Sequence, residues 1–133
     1  MNPTPAERRK YFRVEAVIPV LFRLIEEKTS EATTNWINGS TADISLGGVK
    51  VTAPMTEAQI EAMVDRYVLV DFSFKLPGAP KPVGATATVA YFLRGATAAK
   101  MTNVTFGLSF VTTEESVKDL IGEFIRKRIS VAA

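Results

Sequence analysis

From Val14 onward the chain alternates without a miss: Val14, Ala16, Ile18, Val20, Phe22 and Leu24 all fall on one parity. Side chains on a strand point alternately to opposite faces, so a period of two specifies a half-buried strand. Pro19 falls on the other parity and lacks an N–H, which points to an edge position or a bulge. The same pattern returns along the chain. Residues 41–45 read as a second strand, and Gly47-Gly48 as a tight connection. Val49, Val51 and Ala53 then alternate with Gly48, Lys50 and Thr52 in a third strand, which Pro54 ends. Val68, Val70, Phe72 and Phe74 mark a fourth, followed by a turn at Pro77-Gly78. A longer fifth strand places Val83, Ala85, Ala87, Val89, Tyr91 and Leu93 on one face. A sixth does the same with Val104, Phe106, Leu108 and Phe110.

Between the first two strands, residues 26–39 are mostly polar and contain the turn signal Asn38-Gly39. Trp36 and Ile37 could open the second strand or cap the fold from the loop. Two stretches change period. Thr56 and Gln59 have the spacing of a capping box, and Ile60, Met63 and Val64 supply an apolar stripe, which predicts a short helix over about residues 56–66. Thr112 and Glu115 repeat the capping-box spacing ahead of Val117, Leu120, Ile121, Phe124, Ile125 and Ile129, which recur at helical intervals. Arg126, Lys127 and Arg128 are placed in the last turns of this closing helix, where cations complement the dipole.

The expected fold is therefore mainly β: a six-stranded antiparallel β-barrel with a short inserted helix and a C-terminal α-helix. Closure is favoured because it removes exposed strand edges. The closing helix must bury its stripe against an open end or flank of that barrel. At 133 residues one domain is expected. Its parts are a flexible lead over residues 1–7 and a domain over 8–130, comprising an arm at 8–13, the barrel at 14–111 and the helix at 113–130.

Composition narrows the chemistry. The chain has no Cys, which removes disulfides, thiolate metal sites and cysteine nucleophiles. It also has no His, the commonest general base near neutral pH and the commonest zinc ligand. Walker A and G-x-G-x-x-G patterns are missing, and the Asp residues are scattered without metal-site spacing. The expectation is a protein that is not an enzyme and holds no metal. No apolar run is long enough to cross a bilayer, and the polar start lacks a secretory signal, so a cytoplasmic location is expected. A formal charge of +2 does not by itself imply nucleic-acid binding.

Two features remain to be explained. Residues 7–13, Glu-Arg-Arg-Lys-Tyr-Phe-Arg, hold five charges in seven positions. Guanidinium forks suit phosphate oxygens and the O6/N7 edge of guanine, and their flat faces stack on bases. On the arm alone, a solvated basic tail is the simpler reading. The second feature is Asp43-Ile44-Ser45-Leu46-Gly47-Gly48. If Asp43 and Ser45 lie on one strand they share a face, where a carboxylate and a hydroxyl could read a guanine edge. Gly48 would keep the backbone bare for a ligand. A polar β-turn with an Asx-type hydrogen bond is an equal alternative for this segment.

Taken together, Arg9 and Arg13 followed about thirty residues later by Asp43, Ser45 and Gly48 resemble the two-part signature of the PilZ domain family, R-x-x-x-R and then [D/N]-x-S-x-x-G. The strand order, the Leu-Pro-Gly turn at 76–78, the Phe-Gly-Leu-Ser-Phe strand at 106–110 and the closing helix are also similar, over residues 7–128. The resemblance implies a receptor for cyclic di-GMP, a bacterial second messenger, with no chemistry performed on it. Arg9 and Arg13 would grip phosphates and guanine edges, Asp43 and Ser45 would read a guanine edge, and Gly48 would give clearance. In the family an arginine directly before the pair, Arg8 here, tends to accompany a stacked pair of ligands, so two per domain are allowed for. Binding would order the arm against the barrel and change the surface offered to an effector protein in trans, in a motility, secretion or polysaccharide system. Two other readings compete. One is a PilZ-like module that binds no nucleotide and works by protein contacts, as in pilus or motility assembly. The other is a barrel for single-stranded nucleic acid, which requires outward aromatic side chains on the strands. Neither a nucleic-acid polymer nor membrane insertion is expected.

Overall fold

The computed structural model describes residues 13–64, 67–112 and 114–132. Arg8 and Arg9, with the rest of the expected arm before Arg13, lie outside the described residues, as do Asp65 and Arg66 at the expected end of the inserted helix. The elements in chain order are β1 (Val14–Glu15), β2 (Pro19–Glu26), β3 (Ile37–Ile44), β4 (Gly48–Met55), α1 (Glu57–Met63), β5 (Val68–Phe74), β6 (Val83–Ala98), β7 (Met101–Thr112) and α2 (Glu115–Ala132). Six strands close a ring in the order β3-β2-β5-β6-β7-β4 and back to β3, every pairing antiparallel. The expected six-stranded barrel with two helices is the fold found.

The first strand is broken where a continuous one was expected. Its two pieces, β1 and β2, run along the same edge of β3, separated by residues 16–18. Three residues there oppose two on β3, and Val17 is pushed out into solvent. A side chain fills the gap. The Ile18 N–H donates to Thr41 Oγ1 at 2.9 Å, and that hydroxyl donates to the Ala16 carbonyl at 2.5 Å. The inward parity therefore survives the break: Val14, Ala16, Ile18, Val20, Phe22 and Leu24 are all buried.

Further local differences have clear causes. Asn38-Gly39, expected as a turn, lies inside β3 opposite Leu21 and Val20, because pairing with β2 overrides the local preference. Pro54 does not end the third strand. It pairs with Asn103 beyond the last β3–β4 partner, Ser40–Thr52, so its missing N–H interrupts no ladder on that edge. On β6 an extra residue at Ala90 reverses the parity, which sends Tyr91 outward and Phe92 against the core, where Tyr91 was expected inward. Thr112 ends β7 opposite Thr86, and α2 begins only at Glu115, with the Glu114 carbonyl accepting from the Val117 and Lys118 N–H groups. That helix continues to Ala132, leaving Arg126, Lys127 and Arg128 short of its last turn.

The core is built around Phe22, Phe72 and Phe106, all fully buried, with Phe22 and Phe106 edge to face at 5.1 Å. The capping box of Thr56 and Gln59 starts α1 as expected, and Ile60 and Met63 turn its apolar side into the core. Arg94 on β6 pairs with Glu57 at the helix start. Val117, Ile121 and Ile125, four residues apart, bury one stripe of α2, and the helix lies against β1. Each such side chain contributes about 1.5–3 kcal/mol when fully buried. The β6–β7 hairpin turns at Ala99 and Lys100, both with left-handed backbone at φ 51° and 65°. No helix among the described residues is long and apolar enough to cross a membrane.

Thr41→Val removes the hydroxyl that both Ile18 and Ala16 use, leaving two buried backbone groups without a partner. Urea unfolding is expected to show a loss of about 2–4 kcal/mol, with Thr41→Ser retaining most of it; equal stability for Val and wild type rules out the bridging role. At the hairpin tip, Lys100→Gly relieves a left-handed non-glycine residue and is expected to raise stability by about 1 kcal/mol in the same measurement.

Candidate ligand-binding site

A row of residues crosses five strands in register on the outer wall of the barrel. Glu15 on β1 faces Asp43 on β3, Asp43 faces Lys50 on β4, Lys50 faces Gly107 on β7, and Gly107 faces Tyr91 on β6. Around it lies a hollow of about 310 Å³ lined by Arg13, Asp43, Ser45, Gly48, Lys50, Tyr91 and Ser109, among others. Four of the six residues singled out in the sequence thus meet at one place: Arg13, Asp43, Ser45 and Gly48. Arg8 and Arg9 are outside the described residues.

Asp43 owes its direction to a bulge. Ile37 and Thr41 point inward on β3, and so does Ile44, although strict alternation from Thr41 would put Asp43 inside. One additional residue, Ala42, between the partners of Val51 and Lys50 shifts the phase and turns Asp43 to the outer wall. Its carboxylate is half-buried and has no hydrogen bond or ion pair among the described residues. The same holds for the exposed guanidinium of Arg13 and the half-buried ammonium of Lys50.

Ser45 does not share a strand with Asp43, because β3 ends at Ile44. It sits in the connecting turn, 7% exposed, and its hydroxyl is occupied there. Oγ accepts from the Gly47 and Gly48 N–H groups at 3.2 and 3.1 Å and donates to the Gly48 carbonyl at 3.2 Å. The turn alternative for this segment is what the structure contains, with Ser45 rather than Asp43 supplying the side-chain oxygen. Gly48 has a packing reason to be bare. A Cβ there would overlap the Leu108 carbonyl oxygen on β7, so the missing side chain lets β4 and β7 close beside the motif. Gly107 has a similar origin: the Tyr91 ring lies where its Cβ would be.

Lys50 and Tyr91 also line the hollow, and motif reading passes over both. Lys50 was legible, since its parity on the third strand is outward. Tyr91 was not, because the Ala90 bulge is invisible to a count of alternation; the glycine interrupting an apolar strand at Gly107 is the one available hint. Together these groups offer a guanidinium fork, an ammonium, a carboxylate and an aromatic ring to one ligand. Among the described residues no cluster of His, Cys, Asp or Glu could hold a metal ion.

A closed six-stranded antiparallel barrel with these two helices is the fold of a known family. The chain belongs to the PilZ family: the family model described as PilZ domain matches residues 7–127. Among solved structures it is similar to the PilZ domain, with c-di-GMP, of YcgR from Escherichia coli, at 16% identity and TM-score 0.62, covering 94% of each chain. It is also similar to MrkH of K. pneumonia in its apo state, at 14% identity and TM-score 0.64, covering 91% of this chain and 49% of that one. A third is the PlzA protein of Borreliella burgdorferi in complex with c-di-GMP, at 11% identity and TM-score 0.57, covering 95% and 54%. The chain therefore spans about half the length of the latter two proteins. These likenesses establish the fold. A search of curated proteins gives no significant match.

Because the Gly48 overlap is with backbone, Gly48→Ala is expected to destabilise the protein without any ligand, by about 3 kcal/mol or more. Thermal unfolding of the unliganded variant checks this; an unchanged transition would return Gly48 to a role in ligand clearance alone.

Proposed function

We propose that this chain is a cyclic di-GMP receptor that performs no chemistry on its ligand. The observation that carries the reading is the meeting of Arg13 and Asp43, neither with a partner among the described residues, on one hollow of a PilZ barrel. Two structures of similar fold, the YcgR domain and PlzA, hold c-di-GMP. A cyclic dinucleotide presents two anionic phosphates and two guanines. Arg9 and Arg13 supply guanidinium forks for phosphate oxygens and guanine edges, with stacking on the bases as a second role. The Asp43 carboxylate accepts from guanine N1–H and N2–H. The Ser45 hydroxyl acts through the turn it holds, placing Asp43 and the loop to Gly48. Tyr91 offers a ring on which a base can stack. Arg8 would serve a second, stacked ligand.

The arm over residues 8–13 is the moving part of this reading. Fixing it against the barrel costs roughly 1–2 kcal/mol of backbone entropy per residue. Hydrogen bonds to charged groups, about 1.5–3 kcal/mol each, offset that cost. Ligand binding then alters the surface around the hollow, and an effector protein in trans reads the change. A receptor for an intracellular messenger works in the cytoplasm.

Calorimetric titration with cyclic di-GMP tests this directly. Arg9→Ala, Arg13→Ala and Asp43→Ala are each expected to abolish the binding heat while leaving unliganded stability within about 0.5 kcal/mol of wild type. Equal heats for wild type and the arginine variants would refute their assignment. A wild-type chain that takes up no nucleotide would belong instead with adaptor modules that act by protein contacts alone.

A further inference from the structure

Lys50 lines the hollow beside Asp43 and makes no hydrogen bond or ion pair among the described residues. It is cross-strand partner to Asp43 on one side and to Gly107 on the other. Directly opposed residues on antiparallel strands hold their Cβ atoms roughly 4.5–5.5 Å apart, so the carboxylate and the ammonium can address two atoms of one base edge. The two do not form an ion pair with each other. On the far side Gly107 contributes no side chain, and Tyr91 fills that space. Among the described residues Lys50 is the one lysine lining the hollow.

We infer that Lys50 determines base specificity, donating to guanine O6 while Asp43 accepts from N1–H and N2–H of the same base. This deepens the cyclic di-GMP reading and rests on it. An ammonium only donates and an ionised carboxylate only accepts. Side by side they complement the acceptor–donor–donor order of the guanine edge. Adenine in the same pose carries an amino group where guanine carries O6, and a lone pair at N1. Both contacts then reverse: donor faces donor, and acceptor faces acceptor. A contact to phosphate lacks this effect, because phosphate is common to both dinucleotides. An ammonium that touched phosphate instead would weaken every cyclic dinucleotide alike.

The test is displacement of labelled cyclic di-GMP by unlabelled cyclic di-GMP and by cyclic di-AMP, on wild type, Lys50→Met and Lys50→Arg. Wild type is expected to prefer the guanine compound at least 100-fold. Lys50→Met is expected to lose about 10- to 100-fold for cyclic di-GMP, with its preference over cyclic di-AMP falling by at least tenfold. Lys50→Arg, which keeps the donors, restores the preference. The unliganded thermal transition of Lys50→Met stays at the wild-type temperature. Equal weakening towards both dinucleotides makes Lys50 a phosphate contact and overturns the inference, as does unchanged binding by Lys50→Met. Failure of the wild type to bind cyclic di-GMP is a distinct result, which removes the receptor reading itself and this inference with it.

Discussion

The outer wall depends on how β3 changes phase between Thr41 and Asp43. Thr41 points inward and bridges the broken first strand through its hydroxyl. Two residues later Asp43 faces outward, because Ala42 is additional in the pairing with β4. A strict ladder could not do both. Without the extra residue Asp43 would follow Thr41 into the core, where an unpaired carboxylate costs several kcal/mol. One irregularity thus serves the fold and the hollow together. A second, at Ala90, does the same for Tyr91, and a third, at residues 16–18, governs how the chain enters from Arg13. Bulges redirect side chains, and those at Ala42 and Ala90 both turn a residue, Asp43 and Tyr91, towards the hollow.

The side chains of that wall divide into two kinds. Ser45, Gly48 and Gly107 are committed to the fold: a hydroxyl with three hydrogen bonds, and two missing side chains whose space is already occupied. Arg13, Asp43 and Lys50 have no such commitment among the described residues. Substituting one of the first group disturbs packing and ligand contact at once, so its effect on binding alone cannot be interpreted. Substituting one of the second group removes chemistry from an otherwise intact barrel. Leu46 belongs between them. It lies in the Ser45–Gly48 turn and faces α2, where it borders the same small hollow as Gly122. The turn that shapes the hollow is therefore also a packing element for the closing helix.

Most of the barrel was legible because burial on one face imposes a period of two. The inward residues of β2, β5 and β7 follow from parity alone, and the capping box of Thr56 and Gln59 starts α1 as its spacing demands. What parity cannot register is an insertion within a ladder, since bulges depend on the partner strand. Parity therefore cannot give the outward direction of Tyr91, nor the break at residues 16–18, where Pro19 is the one local sign of irregularity. Turn and helix signals failed where pairing outbids local preference, as at Asn38-Gly39, Pro54 and Thr112. Of the residues lining the hollow, Asp43, Ser45 and Gly48 stand out in the sequence through their motif. The structural parts played by the last two, in the turn and in the β4–β7 approach, were not legible, because a short motif records which residues occur and not which atoms they satisfy.

The opposed charges of Asp43 and Lys50 raise the question of why they do not simply neutralise each other. At a partly exposed site an ion pair contributes only about 0–1 kcal/mol, since water screens the attraction and two side chains must be immobilised. The fold gains little from joining them and loses little by leaving them apart. Glu15, on the other flank of Asp43, adds a like charge that disfavours crowding more carboxylate into the row. Lys50 offsets that repulsion through space without having to touch either acid. Separated in this way, both groups keep their hydrogen-bonding capacity towards the hollow. A ligand that excludes water from the row would strengthen every charge it meets there, because the same contacts then act at lower effective dielectric. On the proposed reading, such a wall would be selective only when covered by a base with the right order of donors and acceptors.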